Sequence, residues 1–212
     1  MTALLNGGPV MVLYSDATGP FSHSVRLALA EKDIDTEVKY IHEEIIPEEL
    51  AELNPYNTVP TLVDRDLVLY DAQIILEYLD ERFPHPPLMP VDPMSRAVNR
   101  QLRYRITRDL YRLAEELDSE NEIAAAGARR DLRNSLLALD PVFSQFPYFM
   151  SEDYTLVDCC IAPLLWRLGA YNIRLPAGAK ALRKYAESLF ARAAFQSSMS
   201  EPERDMCERL TA

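Results

Sequence analysis

The sequence predicts a protein with a small α/β domain followed by an all-helical domain. Three observations support this. Strand and helix patterns alternate over about the first eighty residues, prolines crowd residues 84–90, and helical periodicity dominates the remainder. Four of the seven residues in 84–90 are prolines, and such a segment favours an extended linker. We therefore place the domains at 1–88, with a flexible N-terminus over about 1–8, and at 89–212.

The first domain begins with a strand pattern. Residues 10–14 are continuously apolar, which is typical of a strand covered on both faces. Apolar residues recur at helical spacing from Phe21 and the helix is expected to end near Asp33. Residues 37–41 alternate polar and apolar side chains, as a half-buried strand does, and residues 47–53 predict a short helix or turn.

A hairpin and a third helix complete this domain. Residues 61–63 and 67–70 flank the polar turn 64–66, which is the pattern of two antiparallel strands. Asp71 then stands where it can cap the following helix. The predicted buried face of that helix consists of Ile74, Ile75, Tyr78 and Leu79. The resulting order is β-α-β-α-β-β-α.

The second domain shows apolar stripes at helical spacing. Its first stripe steps by three or four residues through Val98, Leu102, Ile106, Leu110, Leu113 and Leu117. A second helix is predicted over about 124–139. A third, apolar helix follows Thr155 and Asp158, whose spacing fits a capping box.

Composition narrows the function classes. A net charge of −11 argues against general binding to nucleic-acid phosphates, although residues 94–112 carry six arginines and one acid. No apolar run reaches eighteen residues and the N-terminus lacks a signal-peptide pattern, so we expect a cytoplasmic protein without a membrane contact. Cys159, Cys160 and Cys207 form no Cys-x-x-Cys pair, and the three histidines show no ligand spacing, so neither disulfides nor a metal site is expected.

The segment Val59-Pro60-Thr61-Leu62 is the most specific motif of the first domain, because Val-Pro before a strand is typical of a cis-proline turn. Together with Tyr70-Asp71-Ala72, the proline linker and Thr155–Asp158, it resembles the glutathione transferase superfamily, which joins a thioredoxin-like domain to an all-α domain. The block Glu77–Pro90 and the segment Ala162–Leu168 resemble, more narrowly, the bacterial stringent starvation protein A family of RNA-polymerase-associated regulators.

The glutathione-site positions depart from what that superfamily implies for an enzyme. Gly19 and Ser22 stand where a Cys-Pro-Phe-Cys site has its two cysteines, and Ala72 stands where a serine commonly holds the glutathione carboxylate. Val59 and Pro60 would remain for backbone pairing. A hydroxyl of Thr18 or Ser22 is an alternative activating group; otherwise these residues belong to the turn and Asp71 is a helix cap.

The resemblance implies that Pro84, His85 and Pro86 belong to a partner-binding surface; the alternative is a helix stop and rigid linker. The resemblance, together with the lost glutathione-site positions, thus implies a non-catalytic homodimeric adaptor without a cofactor, whose partner is RNA polymerase holoenzyme (sigma factor and core subunits). A glutathione-dependent transferase or glutathione-binding protein is the alternative. Arg96, Arg100 and Arg103 share a helical face and are expected to pair with acids such as Glu81 and Glu43; a subunit interface or an anion site are the other interpretations.

Overall fold

A computed structural model of the protein describes residues 11–41 and 47–206. The predicted flexible N-terminus lies outside these residues, as do Val10, His42, Glu43 and Cys207. Within the described residues four strands form one mixed sheet in the order β2-β1-β3-β4. The strands are β1 Met11–Ser15, β2 Thr36–Tyr40, β3 Thr61–Asp64 and β4 Leu67–Tyr70.

The sheet has one parallel and two antiparallel pairings. Strands β1 and β2 are parallel, whereas β3 is antiparallel to both β1 and β4. Leu13 at the centre of β1 lies opposite Val38 and Leu62 and is fully buried, which explains why β1 is apolar along its length. The predicted hairpin is confirmed, and Arg65 in its turn adopts a φ of 57°.

The helices of the first domain are α1 Pro20–Glu31, α2 Glu48–Leu53 and α3 Ala72–Arg82. Asp71 caps α3 as predicted, because its Oδ1 accepts hydrogen bonds from the peptide nitrogens of Gln73 at 2.8 Å and Ile74 at 3.4 Å. The predicted α/β thioredoxin-like domain and its element order are confirmed.

The helical domain is confirmed too, with the following elements. They are α4 Pro93–Arg105, α5 Arg112–Glu115, α6 Glu122–Leu137, α7 Asp140–Phe143, α8 Leu156–Trp166, α9 Lys180–Phe190, α10 Ala193–Ser198 and α11 Glu201–Asp205. A π-helical turn, Ile106–Tyr111, joins α4 to α5. None of the helices within the described ranges has the length and apolar composition that crossing a bilayer requires.

Helix α8 is the centre of the molecule, since every one of its residues is buried. Its capping box is present: the Thr155 hydroxyl accepts from the Val157 nitrogen at 3.2 Å, and Asp158 accepts from the Thr155 nitrogen at 2.8 Å. Asp158 also accepts from the Tyr185 hydroxyl at 2.6 Å and from the Phe149 nitrogen at 3.0 Å. One carboxylate therefore ties the start of α8 to α9 and to the preceding loop.

The predicted buried face of α3 is wrong at Ile74. Ile74 is 54% exposed, because α3 turns Ala72, Ile75, Leu76 and Leu79 toward the core, and Tyr78 is half-buried and packs against that core. On α4, Val98 is 49% exposed although it begins the apolar stripe. The division between residues 88 and 89 stays a prediction.

Candidate functional site

A groove of about 420 Å³ lies beside the predicted cis-proline turn, and the Val59–Pro60 bond is cis. The groove is lined by Phe21, Tyr56, Thr58, Val59, Pro60, Tyr70, Asp71 and Ala72. The structure thus brings four sequence-predicted positions together, namely 59, 60, 71 and 72. Within the described residues, the peptide N–H and C=O of Val59 have no hydrogen-bond partner, so they remain available to a ligand in the groove.

The Asp16 carboxylate occupies the space that a side chain at Gly19 would need. The peptide nitrogen of Gly19 donates to Asp16 Oδ1 at 2.6 Å, and a Cβ atom at position 19 would clash with Asp16 Oδ2. Burial raises the pKa of Asp16, while its hydrogen bond from Gly19 lowers it. A larger residue at position 19 would therefore require the Asp16 carboxylate to shift.

Thr18 and Ser22, the two candidate hydroxyl donors, do not line the groove. Thr18 is exposed. Ser22 is fully buried in α1, and its Oγ has no hydrogen-bond partner among the described residues. Neither hydroxyl therefore belongs to the groove that Val59 and the start of α3 line.

The proline segment that follows α3 has exposed residues, but its backbone is hydrogen-bonded to a buried lysine. Residues 84–87 are exposed, and the His85–Pro86 bond is cis. The Nζ of Lys32, whose side chain is fully buried, donates to the carbonyl oxygens of Phe83 at 2.7 Å and Pro86 at 2.8 Å. These two bonds fix the backbone on either side of Pro84 and His85. The proline segment is therefore held against the first domain.

The anchor is completed by Asp80 on α3. Its Oδ1 accepts from Lys32 Nζ at 2.8 Å and from the Leu88 nitrogen at 2.8 Å. The Leu88 carbonyl in turn accepts from the Leu156 nitrogen at the start of α8, also at 2.8 Å. A buried ion pair therefore fixes the proline segment to α1, α3 and α8 together.

Similar proteins share this architecture. Family models described as the glutathione S-transferase N-terminal domain and C-terminal domain match residues 13–87 and 93–193. A stringent starvation protein A homolog of Pasteurella multocida is 46% identical over 212 residues, covering 99% of this chain and 100% of the relative. The chain belongs to the stringent starvation protein A family. The homolog from Histophilus somni is 48% identical over 202 residues, 95% of each chain.

Solved transferases share the fold of this stringent starvation protein A family member at low identity. Rice GST1, solved with glutathione, matches with a TM-score of 0.83 and 22% identity, covering 94% of this chain and 96% of the rice chain. A delta-class transferase of Nilaparvata lugens also gives 0.83 and 22%, with coverages of 94% and 98%. At this identity the likeness shows the fold alone.

A buried ionic cluster holds the loop before α1 in this family member. Arg26 Nη2 donates to Glu203 Oε2 at 2.6 Å, and Arg167 is paired with the other oxygen of the same carboxylate. Arg26 also donates to the carbonyl of Asp16 at 2.9 Å, and Arg167 donates to the carbonyl of Thr18 at 2.8 Å. The C-terminal helix α11 therefore supplies the charge that keeps both arginines against the loop.

His23 lies inside this cluster as a neutral side chain. Its Nδ1 is 3.1 Å from Arg167 Nη1 and its Nε2 is 3.1 Å from Ser198 Oγ. Because arginine can only donate, Nδ1 is the acceptor and Nε2 carries the proton. Burial first, then the charges of Arg167 and Arg26, hold the pKa of His23 well below its usual value. We therefore attribute the 3.4 Å approach of Nδ1 to Glu203 to shared arginine contacts rather than to an ion pair.

The predicted arginine stripe on α4 does pair with acids. Arg100 forms a bidentate pair with Glu77 at 2.8 and 2.9 Å, and the buried Arg103 contacts the same carboxylate. Arg96 approaches Glu81 at 3.5 Å, as predicted, whereas Glu77 was not foreseen. These pairs join α3 to α4 beside a second groove, of about 660 Å³.

Sequence reasoning did not identify Lys32, Asp80, Asp16 or Glu203 as site-shaping residues. No spacing signals the pair of Lys32 and Asp80, which lie 48 residues apart. Asp16 and Glu203 also make local contacts, with the Gly19 nitrogen and in the Ser200–Glu203 capping box, but these do not reveal the buried arginines beside them. No group of three or more possible metal-ligating residues occurs within the described residues. Cys159 and Cys160 are buried free thiols.

Proposed function

We propose that this protein is a non-catalytic, RNA-polymerase-associated transcription regulator that acts as a homodimeric adaptor in the cytoplasm. Its partner would be RNA polymerase holoenzyme, through the sigma factor and core subunits, without a cofactor and without direct nucleic-acid binding. The observation that carries this proposal is the exposed segment 84–87, whose backbone is fixed by the buried Lys32–Asp80 pair.

The geometry of this segment suits a protein-binding surface. A segment that is already fixed loses little conformational entropy when a partner binds, so more of its contact energy becomes affinity. His85 adds an exposed ring with a hydrogen-bond donor and an acceptor. Near full-length similarity to a protein named stringent starvation protein A supports the partner-binding role that the family resemblance implies for this segment.

Several features of the groove argue against transferase catalysis. The Asp16 carboxylate fills the space of a side chain at position 19, and Ala72 offers no hydroxyl at the start of α3. Thr18 and Ser22 lie outside the groove lining. A thiolate in this groove would therefore lack the hydroxyl or thiol at the start of α1 that usually activates it.

A second candidate function is binding of glutathione or an extended peptide without turnover. The cis-proline groove and the unpaired Val59 backbone favour this candidate, since an extended peptide pairs with such a backbone. The Asp71 carboxylate already accepts two peptide N–H groups of α3, so those two donors would not be free for a ligand carboxylate.

We place the dimer contact on the face formed by β4, α3 and α4. Leu67, Ile74 and Tyr104 are each at least 40% exposed there and line the second groove with the Arg100–Glu77 pair. Such an apolar centre with a polar rim is typical of a subunit interface. It also accounts for the apolar Ile74 that α3 leaves outside the core of a single chain.

The test is a pull-down of purified bacterial RNA polymerase holoenzyme by the native chain and by Pro84→Ala/His85→Ala/Pro86→Ala. We expect the native chain to retain polymerase and the triple variant to lose most of it, since these side chains would supply the contact surface. Pro55→Ala/Ile123→Ala is the matched control, because both residues are exposed and lie on other elements.

Each chain is also sedimented and titrated with glutathione. A dimeric, folded triple variant that keeps full polymerase binding would exclude segment 84–86 as the contact. If the native chain binds glutathione tightly and no polymerase, the adaptor is wrong and the second candidate is correct. A monomeric native chain would contradict only the proposed dimer.

A further inference from the structure

Among the residues that the structure describes, a compact arginine patch lies outside the features discussed so far. It consists of Arg129, Arg130 and Arg133 on α6 and Arg174 in the segment before α9. Successive α-helical residues are 100° apart, so the three helical arginines lie within one 100° arc of α6. Asp131 is the acid next to them and is paired with Arg130 at 3.0 Å. The patch therefore opposes the sign of a chain whose net charge is −11.

Two of these guanidinium groups are held in place by backbone atoms. Arg129 Nε donates to the carbonyl of Tyr171 at 2.9 Å, and Arg133 Nε donates to the carbonyl of Arg174 at 3.1 Å. Within the described residues, the Nη groups of both side chains have no other partner. Each arginine is thus fixed by its inner N–H and leaves its outer donors unpaired.

The accepting segment is itself fixed to the helical domain. The nitrogen of Tyr171 donates to the carbonyl of Arg167 at 3.0 Å, and that of Ile173 donates to the carbonyl of Leu168 at 2.8 Å. Ile173 is buried beneath the segment. The two guanidinium groups are therefore held on a rigid base, one helical turn apart.

We infer that this arginine patch binds an acidic protein segment that presents carboxylates about one helical turn apart. A fixed guanidinium group recognises a carboxylate through paired N–H···O bonds, which makes it more specific than a mobile ammonium. A long polyphosphate is disfavoured, because it would extend over the acidic remainder of the chain, whereas a short segment meets only the patch. This surface is independent of segment 84–87.

The test measures binding of a fluorescent 15-residue helical peptide with glutamates spaced four apart, by anisotropy in low salt. We expect saturable binding that weakens with added salt, and a rise in Kd of at least about tenfold in Arg129→Glu/Arg133→Glu. Arg129→Lys/Arg133→Lys should restore only part of the affinity, because lysine keeps the charge without the planar fork.

Two further variants separate binding from folding. Arg174→Glu should weaken binding without lowering Tm, since only the Arg174 backbone, not its side chain, is hydrogen-bonded within the described residues. Arg105→Glu/Arg112→Glu carries the same charge change as the double reversal at exposed sites elsewhere and should leave Kd nearly unchanged. Absence of peptide binding, equal losses in both double reversals, or tighter binding of a 20-base-pair duplex would overturn the inference.

Discussion

Replacing Lys32 by methionine should lower the free energy of unfolding by about 3–5 kcal/mol, because the largely buried Asp80 carboxylate would lose its counter-ion. The same change removes the donor for the carbonyls of Phe83 and Pro86. Urea unfolding at neutral pH measures the loss. Asp80→Asn and the double variant complete a cycle, whose coupling term reports the pair itself.

The Lys32→Met variant also links the anchor to the proposed function. Amide exchange at Leu88 should accelerate, since its N–H is bonded to the carboxylate that Lys32 neutralises, and polymerase retention should fall. Lys39→Met is the control: Lys39 is 37% exposed and its pair with Glu49 is at the surface, so we expect a change below about 1 kcal/mol. Equal effects of the two lysine variants would show that the buried pair does not hold the proline segment.

Local rules in the sequence were sufficient for much of the fold. The strand and helix patterns extend over only a few residues. The helix caps at Asp71 and Thr155 are also local, because the hydrogen-bonded residues are at most three positions apart. The cis-proline turn likewise follows from a local pattern. These features could be predicted because their partners are neighbours in the chain. The arginine stripe on α4 is also a local spacing, but the acids that pair with it, Glu77 and Glu81, lie 15 to 26 residues earlier in the chain.

The anchor of the proline segment could not be predicted in this way. Lys32 directly follows the last residue of α1, in the stretch Glu31-Lys32-Asp33, which has the composition of an exposed helix end. It is buried only because Asp80, 48 residues later, and two carbonyls of the linker converge on its Nζ. Burial of a charge depends on such long-range partners, and no periodicity encodes them.

The sequence analysis also did not predict the exposure of Ile74 or the position of the Asp16 carboxylate beside Gly19. Both depend on three-dimensional packing. Ile74 extends an apolar run in sequence, yet the angle at which α3 packs leaves it outside. The sequence showed that glycine replaces a cysteine at position 19. It did not show that the Asp16 carboxylate occupies the space of a side chain there. The sequence therefore located the groove at Val59 and Pro60 without showing what occupies its neighbourhood.

Replacing Glu203 by glutamine should lower the free energy of unfolding by about 3–5 kcal/mol, because Arg26 and Arg167 would both remain buried without a counter-charge. Glutamine preserves the shape and can still serve as the third residue of the α11 capping box, so the loss reports charge rather than volume. For a chain of this length, the change corresponds to a fall in Tm of roughly 10 °C in a thermal scan.

Glu201→Gln provides the matched control in the same helix, since Glu201 is exposed and the charge change is identical; we expect an effect within about 0.5 kcal/mol. In Glu203→Gln, amide exchange at Gly19 should accelerate, because the arginines that hold the carbonyls of Asp16 and Thr18 lose their partner. If both glutamine variants were equally stable, apolar packing of α1 against α8 and α10 would hold the domains together without the cluster. A selective loss would instead make the C-terminal helix the element that fixes the loop before α1.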